Sequence, residues 1–312
     1  MLHVFKSLLK YIQSDSYPKM KFWTEEKDCC SWDGVTCNMK TGQVVSSDLS
    51  FSWLQGPLCF NSSLFKLHQL QAINLAFDNF SFGKIPSEFG QFSRLMYLNL
   101  SFSIISGQIP SQISYLTNLV YLDFSSFKNY DETSFLYLKR VDFTRFIKNM
   151  TNLRGLFLHQ VNLSSSIPES LINLSSLTFL SLSGLVYTAS FQRKSFIFLC
   201  LVIMFSLDFF PSSQNSSSLM LLNLDMTNFS GKLPESICHL ESLRFFTFRP
   251  CNFVGTLPPS IWNLSNLIFL DFSFNPFNRQ EFPSTLGNLA KLFALGLTSA
   301  QFRGEVPSSL GN

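Results

Sequence analysis

The sequence predicts an α/β solenoid: short parallel strands, one per repeat, stacked around a single elongated core. Three observations predict it. A Leu-x-x-Leu-x-Leu pattern recurs along the chain. A Gly-x-(Ile/Leu/Val)-Pro element follows it in phase. The prolines of that element fall 24 or 25 residues apart from Pro86 to Pro110 and again through Pro234, Pro258, Pro283 and Pro307. Each leucine pattern is a strand whose apolar side chains point one way. No unit buries that face alone, so units stack and their strands pair in parallel. Proline donates no ladder hydrogen bond and marks where each unit leaves extended structure. The glycine before it permits a tight approach at the turn. A leucine-rich helical bundle would need a 3.6-residue period and would not carry seven in-phase prolines.

The chain divides into four stretches. Residues 1–43 precede the repeats. Their opening, "MLHVFKSLLKYIQ", places Leu2, Phe5, Leu8, Leu9 and Ile12 at helical spacing, which predicts an amphipathic helix. Lys6 and Lys10 interrupt any apolar targeting core, and no small-residue cleavage site follows, so no signal peptide is visible. Residues 44–184 hold the first half of the array, with leucine patterns starting at Leu70, Leu95, Leu119, Leu153 and Leu177. Residues 219–312 hold the second half, with patterns starting at Leu219, Leu243, Leu267 and Leu292, and stop within a repeat.

Two proline intervals exceed the period. Pro110 to Pro168 spans 58 residues and includes "DETSFLYLKRVDFTRFIKNM", where Leu136, Val141, Phe146 and Ile147 predict one apolar face of a helix on the side away from the sheet. Pro168 to Pro234 spans 66 residues and includes 185–218, with the apolar run "SFIFLCLVIMFSLDFF". That run is shorter than the ~20 residues of a membrane span, and a span there would put half the array in the cytosol. It reads as an apolar segment replacing a repeat or as a translated intron, and as the least ordered part of the fold.

Composition narrows the function. Apolar residues make up 46%, charged residues only 14%, and 36 residues are phenylalanine. A net charge of +3 does not point to nucleic acid. Seven cysteines, three of them at Cys29, Cys30 and Cys37, accompany nine Asn-x-Ser/Thr sequons at Asn61, Asn79, Asn99, Asn149, Asn162, Asn173, Asn215, Asn228 and Asn263. Together they indicate a glycoprotein of the secretory pathway. Clustered cysteines can also hold zinc, but no second Cys-x-x-Cys or histidine pair accompanies these. No enzyme is predicted: the four histidines are isolated, and no Gly-x-Ser-x-Gly, Walker or Gly-x-Gly-x-x-Gly motif is present. No cofactor or metal is expected.

The in-phase "GKIP" (83–86), "GQIP" (107–110), "GKLP" (231–234), "GTLP" (255–258) and "GEVP" (304–307) and the stretch "DCCSWDGVTCNMKTGQVV" resemble plant extracellular leucine-rich-repeat proteins. Phrases such as "NSSLFKL", "LFLHQVNLS" and "NFSGKLPESI" resemble the kinase-less receptor-like proteins of disease-resistance type. The resemblance implies a right-handed curved solenoid, a parallel concave β-sheet and a second short strand before the Gly-x-Ile-Pro glycine. It also implies that residues 1–43 are a plant-type N-terminal cap closed by a Cys30–Cys37 disulfide. The family pairs the first cysteine of the doublet with one upstream, which Cys29 lacks here, so truncation at the N-terminus is expected. After each strand the family carries an asparagine that bonds adjacent turns. The corresponding residues are Asp78, Ser103, Phe127, Val161, Leu185, Thr227, Cys251, Asn275 and Ala300, and a less rigid middle of the array is expected.

The resemblance further implies recognition of a protein or peptide ligand and of a co-receptor kinase. It places the full-length protein on the outer side of the plasma membrane, anchored by a C-terminal span absent from this chain, and acting in defence or development. The candidate binding residues are those at the variable positions of the concave strands: Tyr97, Asn99, Tyr121, Asp123, Arg154, Phe157, His159, Arg244, Phe245, Arg249, Phe269 and Asp271. Aromatic residues and arginine are the usual anchors of interfaces. A secreted inhibitor of a pathogen cell-wall hydrolase is the alternative from another class, and a non-functional gene fragment is the third.

Overall fold

The computed structural model describes residues 19–20, 22–24, 26–126, 136–138, 145, 148–163, 176–184, 218–227, 230–233 and 235–308. One long sheet runs through them. Its strands are β1 (Val35–Cys37), β2 (Val44–Asp48), β3 (Ala72–Asn74), β4 (Tyr97–Asn99), β6 (Tyr121–Asp123), β8 (Gly155–Phe157), β10 (Phe179–Ser181), β11 (Leu221–Asn223), β13 (Phe245–Thr247), β15 (Phe269–Asp271) and β17 (Ala294–Gly296), paired in that order. All pairs from β2 onward are parallel; β1 folds back on β2 antiparallel and closes the N-terminal end. Register is constant: the middle residues Leu98, Leu122, Leu156, Leu180, Leu222, Phe246 and Leu270 lie opposite one another. They point inward and are buried, as are Leu95, Leu100 and Leu158.

The short second strands lie beyond the sheet. They are β5 (Gly107–Gln108), β7 (Leu136–Leu138), β9 (Asn162–Leu163), β12 (Ser230–Gly231), β14 (Asn252–Phe253), β16 (Gln280–Glu281) and β18 (Phe302–Arg303). Two corrections follow. Leu136 is not on a helix: it pairs with Gly107 in a three-stranded ladder β5–β7–β9, so "FLYL" serves as that repeat's second strand. Its alternation of buried, exposed and buried residues has the two-residue period of a strand. Val141, Phe146 and Ile147 lie outside the described residues. The second strand also does not always precede the glycine, since β5 and β12 contain it.

The glycines serve close approach at one position and backbone shape at others: a Cβ on Gly83 would lie 2.9 Å from Phe80 O. Gly231 and Gly304 have φ of +95° and +85° with nothing within 4 Å of where a Cβ would sit. An L-residue there would be strained whatever the space. Pro86, Pro110, Pro258 and Pro283 occupy the residue before short 3₁₀ segments (Ser87–Gln91, Ser111–Tyr115, Pro259–Asn263, Ser284–Asn288), with φ between −62° and −74°. Proline's fixed φ suits that entry and its missing N–H costs nothing there.

Phenylalanine abundance has a packing explanation. Phe89, Phe92, Phe124, Phe246, Phe248 and Phe272 are fully buried in the core. Phe248 meets Phe253 and Phe277 edge-on, with centroids 5.6 and 6.3 Å away. The larger rings fill the interior between stacked turns.

The position after the strands is less irregular in effect than in sequence. Asn275 Nδ2 donates to the carbonyls of Phe248 and Phe272 (2.8 and 3.0 Å), and its Oδ1 accepts from Cys251 N (3.2 Å). Ser103 Oγ donates to Leu75 O, Thr227 Oγ1 to Leu224 O and Cys251 Sγ to Leu224 O. Val161 and Ala300 bring no polar group and are buried in the core instead. Phe127 and Leu185 lie outside the described residues.

A second asparagine ladder runs along the entry to the strands, unread in the sequence. Asn118, Asn152 and Asn266 each donate Nδ2 to a carbonyl of the previous turn, at Ser93, Thr117 and Glu241 (2.8–3.0 Å). The repeated Thr-Asn-Leu and Ser-Asn-Leu triplets are its signature.

In the N-terminal cap, Cys30 and Cys37 form a disulfide, and Trp23 stacks on Trp32 with centroids 4.8 Å apart. The amphipathic helix expected over residues 2–12 and the apolar run within 185–218 lie outside the described residues. Among the described residues no helix is long and apolar enough to cross a membrane.

Candidate recognition surface

The concave sheet presents three rows of side chains. The first row precedes each strand and includes Met96, Arg154, Arg244 and Phe293, all exposed. The second row holds the first residue of each strand: Tyr97, Tyr121, Gly155, Phe179, Leu221, Phe245, Phe269 and Ala294, aligned by register. The third row holds the last residue: Asp48, Asn74, Asn99, Asp123, Phe157, Ser181, Asn223, Thr247, Asp271 and Gly296.

The second row forms an aromatic floor. Tyr97 and Tyr121 stack with centroids 4.5 Å apart and ring planes within 9°. Gly155 interrupts the row, and Tyr121 leans into the opening: a Cβ on Gly155 would lie 2.9 Å from Tyr121 Cδ2. Phe157 closes over the same gap, 5.2 Å from Tyr121. Phe245 and Phe269 stay half-buried. Burial pushes the Tyr97 phenol up to about 12 and the Tyr121 phenol well above its ordinary value, so both are neutral; Tyr121 Oη donates to Asp123 Oδ2 and Tyr97 Oη accepts from Asn99 Nδ2.

The third row does a different job. Asp48, Asn74, Asn99, Asp123, Asn223 and Asp271 each accept a hydrogen bond at Oδ1 from the backbone N–H two residues on, at 2.8–3.2 Å. These local Asx turns bend the chain off the sheet. Three residues beyond the third row, Phe51, Phe77, Phe102, Gln160, Met226, Phe274 and Ser299 all have φ between +54° and +61°. The left-handed conformation costs a non-glycine residue roughly 1–2 kcal/mol. The inter-turn ladder continues through it, as in Phe77 N to Ser101 O and Phe102 N to Ser125 O. Phe77 also stacks on Phe51 and Phe102, at 4.3 and 5.0 Å.

Five of the twelve candidate binding residues are therefore withdrawn from the surface. Asn99 and Asp123 are buried with both side-chain polar atoms bonded, Asn99 through Tyr97 Oη and Asp123 through Tyr121 Oη. Phe157 is 2% exposed, beneath Tyr121. His159 is 3% exposed, its Nδ1 bonded to Ser183 Oγ; burial lowers its pKa to about 4 and keeps it neutral. Asp271 is buried against Arg249, whose Nη1 lies 2.8 Å from its Oδ2.

Arg249 is locked by more than Asp271. Its Nε lies 3.4 Å from Asp225 Oδ2, and its backbone N donates to Asp225 Oδ1 at 2.8 Å. Burial pushes the Asp225 carboxyl up to about 6 against the pull of Arg249. Gly296 makes room for this cluster, because a Cβ there would lie 2.1 Å from Asp271 Cγ. Arg154 and Arg244 differ: among the described residues neither has an ion-pair partner. What remains outward is Tyr97, Tyr121, Phe245 and Phe269 flanked by these two arginines.

Sequence reasoning missed Asp225 and Asn223, although a signal existed. "DLS", "NLA", "NLS", "NLD" and two copies of "DFS" put Asp or Asn at the end of a strand two residues before the N–H it accepts, and "NLD" is Asn223 to Asp225. That pattern also generates the Asn99 sequon. Asn99 is buried and bonded, so the turn by itself accounts for the Asn and Ser of that sequon. Asn61, Asn79, Asn162 and Asn263 are exposed and lie off the concave strands, and Asn149 is half-buried. Asn173, Asn215 and Asn228 lie outside the described residues.

Residues 2–38 match the Leucine rich repeat N-terminal domain family and residues 218–240 match the Leucine Rich Repeat family. The chain is 40% identical over 235 residues to Receptor-like protein 6 of Arabidopsis thaliana, covering 73% of this chain and 24% of that protein. It is 37% identical over 245 residues to Receptor-like protein Cf-9 of Solanum pimpinellifolium, covering 75% and 27%. The chain thus spans about a quarter of the length of these curated relatives. Among solved structures, the leucine-rich-repeat ectodomain of the Arabidopsis thaliana receptor kinase GASSHO1/SCHENGEN3, in complex with CASPARIAN STRIP INTEGRITY FACTOR 2, has the same fold. Its TM-score is 0.73 at 22% identity, over 99% of this chain and 33% of that one. The plant peptide hormone receptor RGFR1 in complex with RGF2 gives a TM-score of 0.64 at 27% identity, over 91% and 39%.

Proposed function

Because the chain belongs to the leucine-rich-repeat receptor-like proteins of plants, we propose that it is the ligand-recognition module of a cell-surface receptor. In this reading it faces the outside of the plasma membrane, binds a protein or peptide on its concave sheet and signals through a partner kinase in defence or development. It is a binding module rather than an enzyme. One observation carries the reading: the in-register second row sets two aromatic pairs, Tyr97 with Tyr121 and Phe245 with Phe269, on the same outward face. Half-exposed aromatic side chains on one sheet face are the usual hot spots of interfaces. The peptide complex of the RGFR1 relative supports the same use of this fold.

The experiment is a comparison of the full chain with Tyr121→Ala/Phe245→Ala. Both are immobilised, exposed to the extracellular peptide fraction of plant tissue, and the retained peptides are identified by mass spectrometry. Peptides held by the parent and lost from the double variant are expected. Identical retention by both proteins refutes the concave-face reading. Inhibition of pathogen cell-wall hydrolases by the parent, undiminished in the double variant, would favour the secreted-inhibitor class.

A further inference from the structure

We infer that the concave sheet selects an extended peptide bearing two acidic groups about four residues apart; this rests on the recognition reading above and names the ligand chemistry. The charge balance of the sheet leads to it. Every described carboxylate on the concave strands, or on the turns that leave them, is already neutralised or enclosed. Asp48 pairs with Lys19, Asp123 is 0% exposed, and Asp225 and Asp271 share Arg249. Arg154 and Arg244 are exposed, and among the described residues neither forms an ion pair; Glu241, three residues before Arg244, makes none with it. Among the described residues, the row flanking these strands thus offers two unneutralised cations, and the strands themselves offer no available anion.

Spacing converts this into a ligand pattern. Arg154 immediately precedes β8 and Arg244 immediately precedes β13, with β10 and β11 between them. Three strand spacings of about 4.8 Å place the two residues ~14 Å apart along the stack. An extended peptide lying along the stack advances about 3.3 Å per residue, so ~14 Å corresponds to about four residues. Phe179 between the two arginines and Phe245 beside Arg244 are half-buried, and they suit apolar residues between the acids. Arginine forks favour carboxylates, which they engage through paired hydrogen bonds.

A displayed library of random 12-residue peptides, selected on the immobilised full chain, tests this. Acidic pairs at positions i and i+4 should be enriched over pairs at other spacings. Arg154→Gln and Arg244→Gln should each weaken a selected peptide by roughly tenfold, the loss of one charge-assisted contact. Both substitutions are at exposed positions, and circular dichroism melts confirm folding. Enrichment of acids without preferred spacing, or equal binding to the Arg154→Gln/Arg244→Gln protein, overturns the inference. If selected peptides instead ignore both arginines but are lost from Tyr121→Ala/Phe245→Ala, the concave-face reading survives while the acidic-pair inference fails. Recovery of no binding peptide also overturns the inference.

Discussion

Replacing Asp78 with asparagine should stabilise the protein at neutral pH and abolish part of its pH dependence. Asp78 and Asn275 occupy the same repeat position. In each, Oδ1 accepts from a backbone N–H 24 residues earlier: Leu54 N at 3.0 Å and Cys251 N at 3.2 Å. Asn275 completes its bonding by donating Nδ2 to two carbonyls, but Asp78 Oδ2 finds no partner and the residue is 3% exposed. Burial pushes its carboxyl from 3.8 up to about 8, against the lowering by the Leu54 N–H. Between those values the folded protein holds a proton that the unfolded chain has lost, so stability falls as pH rises through that window. At 1.36 kcal/mol per pH unit the loss by pH 7 is on the order of 4 kcal/mol. With roughly 2.1 cal/mol/K of unfolding entropy per residue, that is about 6 °C in Tm for a chain of this length. Thermal melts of both proteins from pH 4 to pH 8 provide the assay. Taking the difference between them cancels the contributions of Asp123 and Asp225, which burial pushes up to about 6. Asp78→Asn should match the parent near pH 4 and exceed it progressively above. A pH-independent difference, or a less stable variant at pH 7, would refute the reasoning.

Other substitutions probe the remaining devices. Gly296→Ala should cost about 1–3 kcal/mol in urea unfolding, because its Cβ collides with the Asp271 carboxylate; Gly296→Ala/Asp271→Ser should recover part of it. Asn275→Ala removes partners from Cys251 N, Phe248 O and Phe272 O, and should cost roughly 3 kcal/mol at about 1 kcal/mol per hydrogen bond. Cys30→Ser/Cys37→Ser opens a short loop of separation seven and should cost the cap roughly 2.5 kcal/mol, read as faster hydrogen exchange over β1 and β2. On secretion from a glycosylating host, Asn263→Gln should lower the intact mass by one glycan and Asn99→Asp by none; a glycan lost from Asn99→Asp contradicts the buried-turn assignment.

Much of the fold was legible because repetition multiplies a weak signal. One Leu-x-x-Leu-x-Leu is ambiguous, whereas the spacing from Leu95 to Leu119 and from Leu243 to Leu267 sets strand, register and inward face together. The site was only half legible. Alternation says that Asn99, Asp123 and Asp271 point away from the core, but not that their oxygens turn back to their own backbone. Arg249 and Arg244 look equivalent five residues apart, yet one sits between Asp225 and Asp271 and the other does not. That difference depends on contacts between turns 22–24 residues apart. The left-handed backbone at Phe51, Phe77, Phe102 and Phe274 was not legible at all, because bulky residues rarely adopt it. Leu136 was misassigned because its apolar spacing fits a helix, while its ladder partners lie on neighbouring repeats.

The Asx turns at the strand ends restrict what this surface can encode. A strand of three residues has two side chains facing outward, which suggests two variable letters per repeat. In six turns the second letter is already written by the backbone's need for an acceptor. Changing Tyr97, Tyr121, Phe245 or Phe269 rewrites what the surface reads and leaves each turn standing, whereas changing Asn99, Asp123 or Asp271 erases the page. A binder redesigned on this scaffold therefore has an alphabet of about one free strand position per repeat, supplemented by the flanking row that holds Arg154 and Arg244.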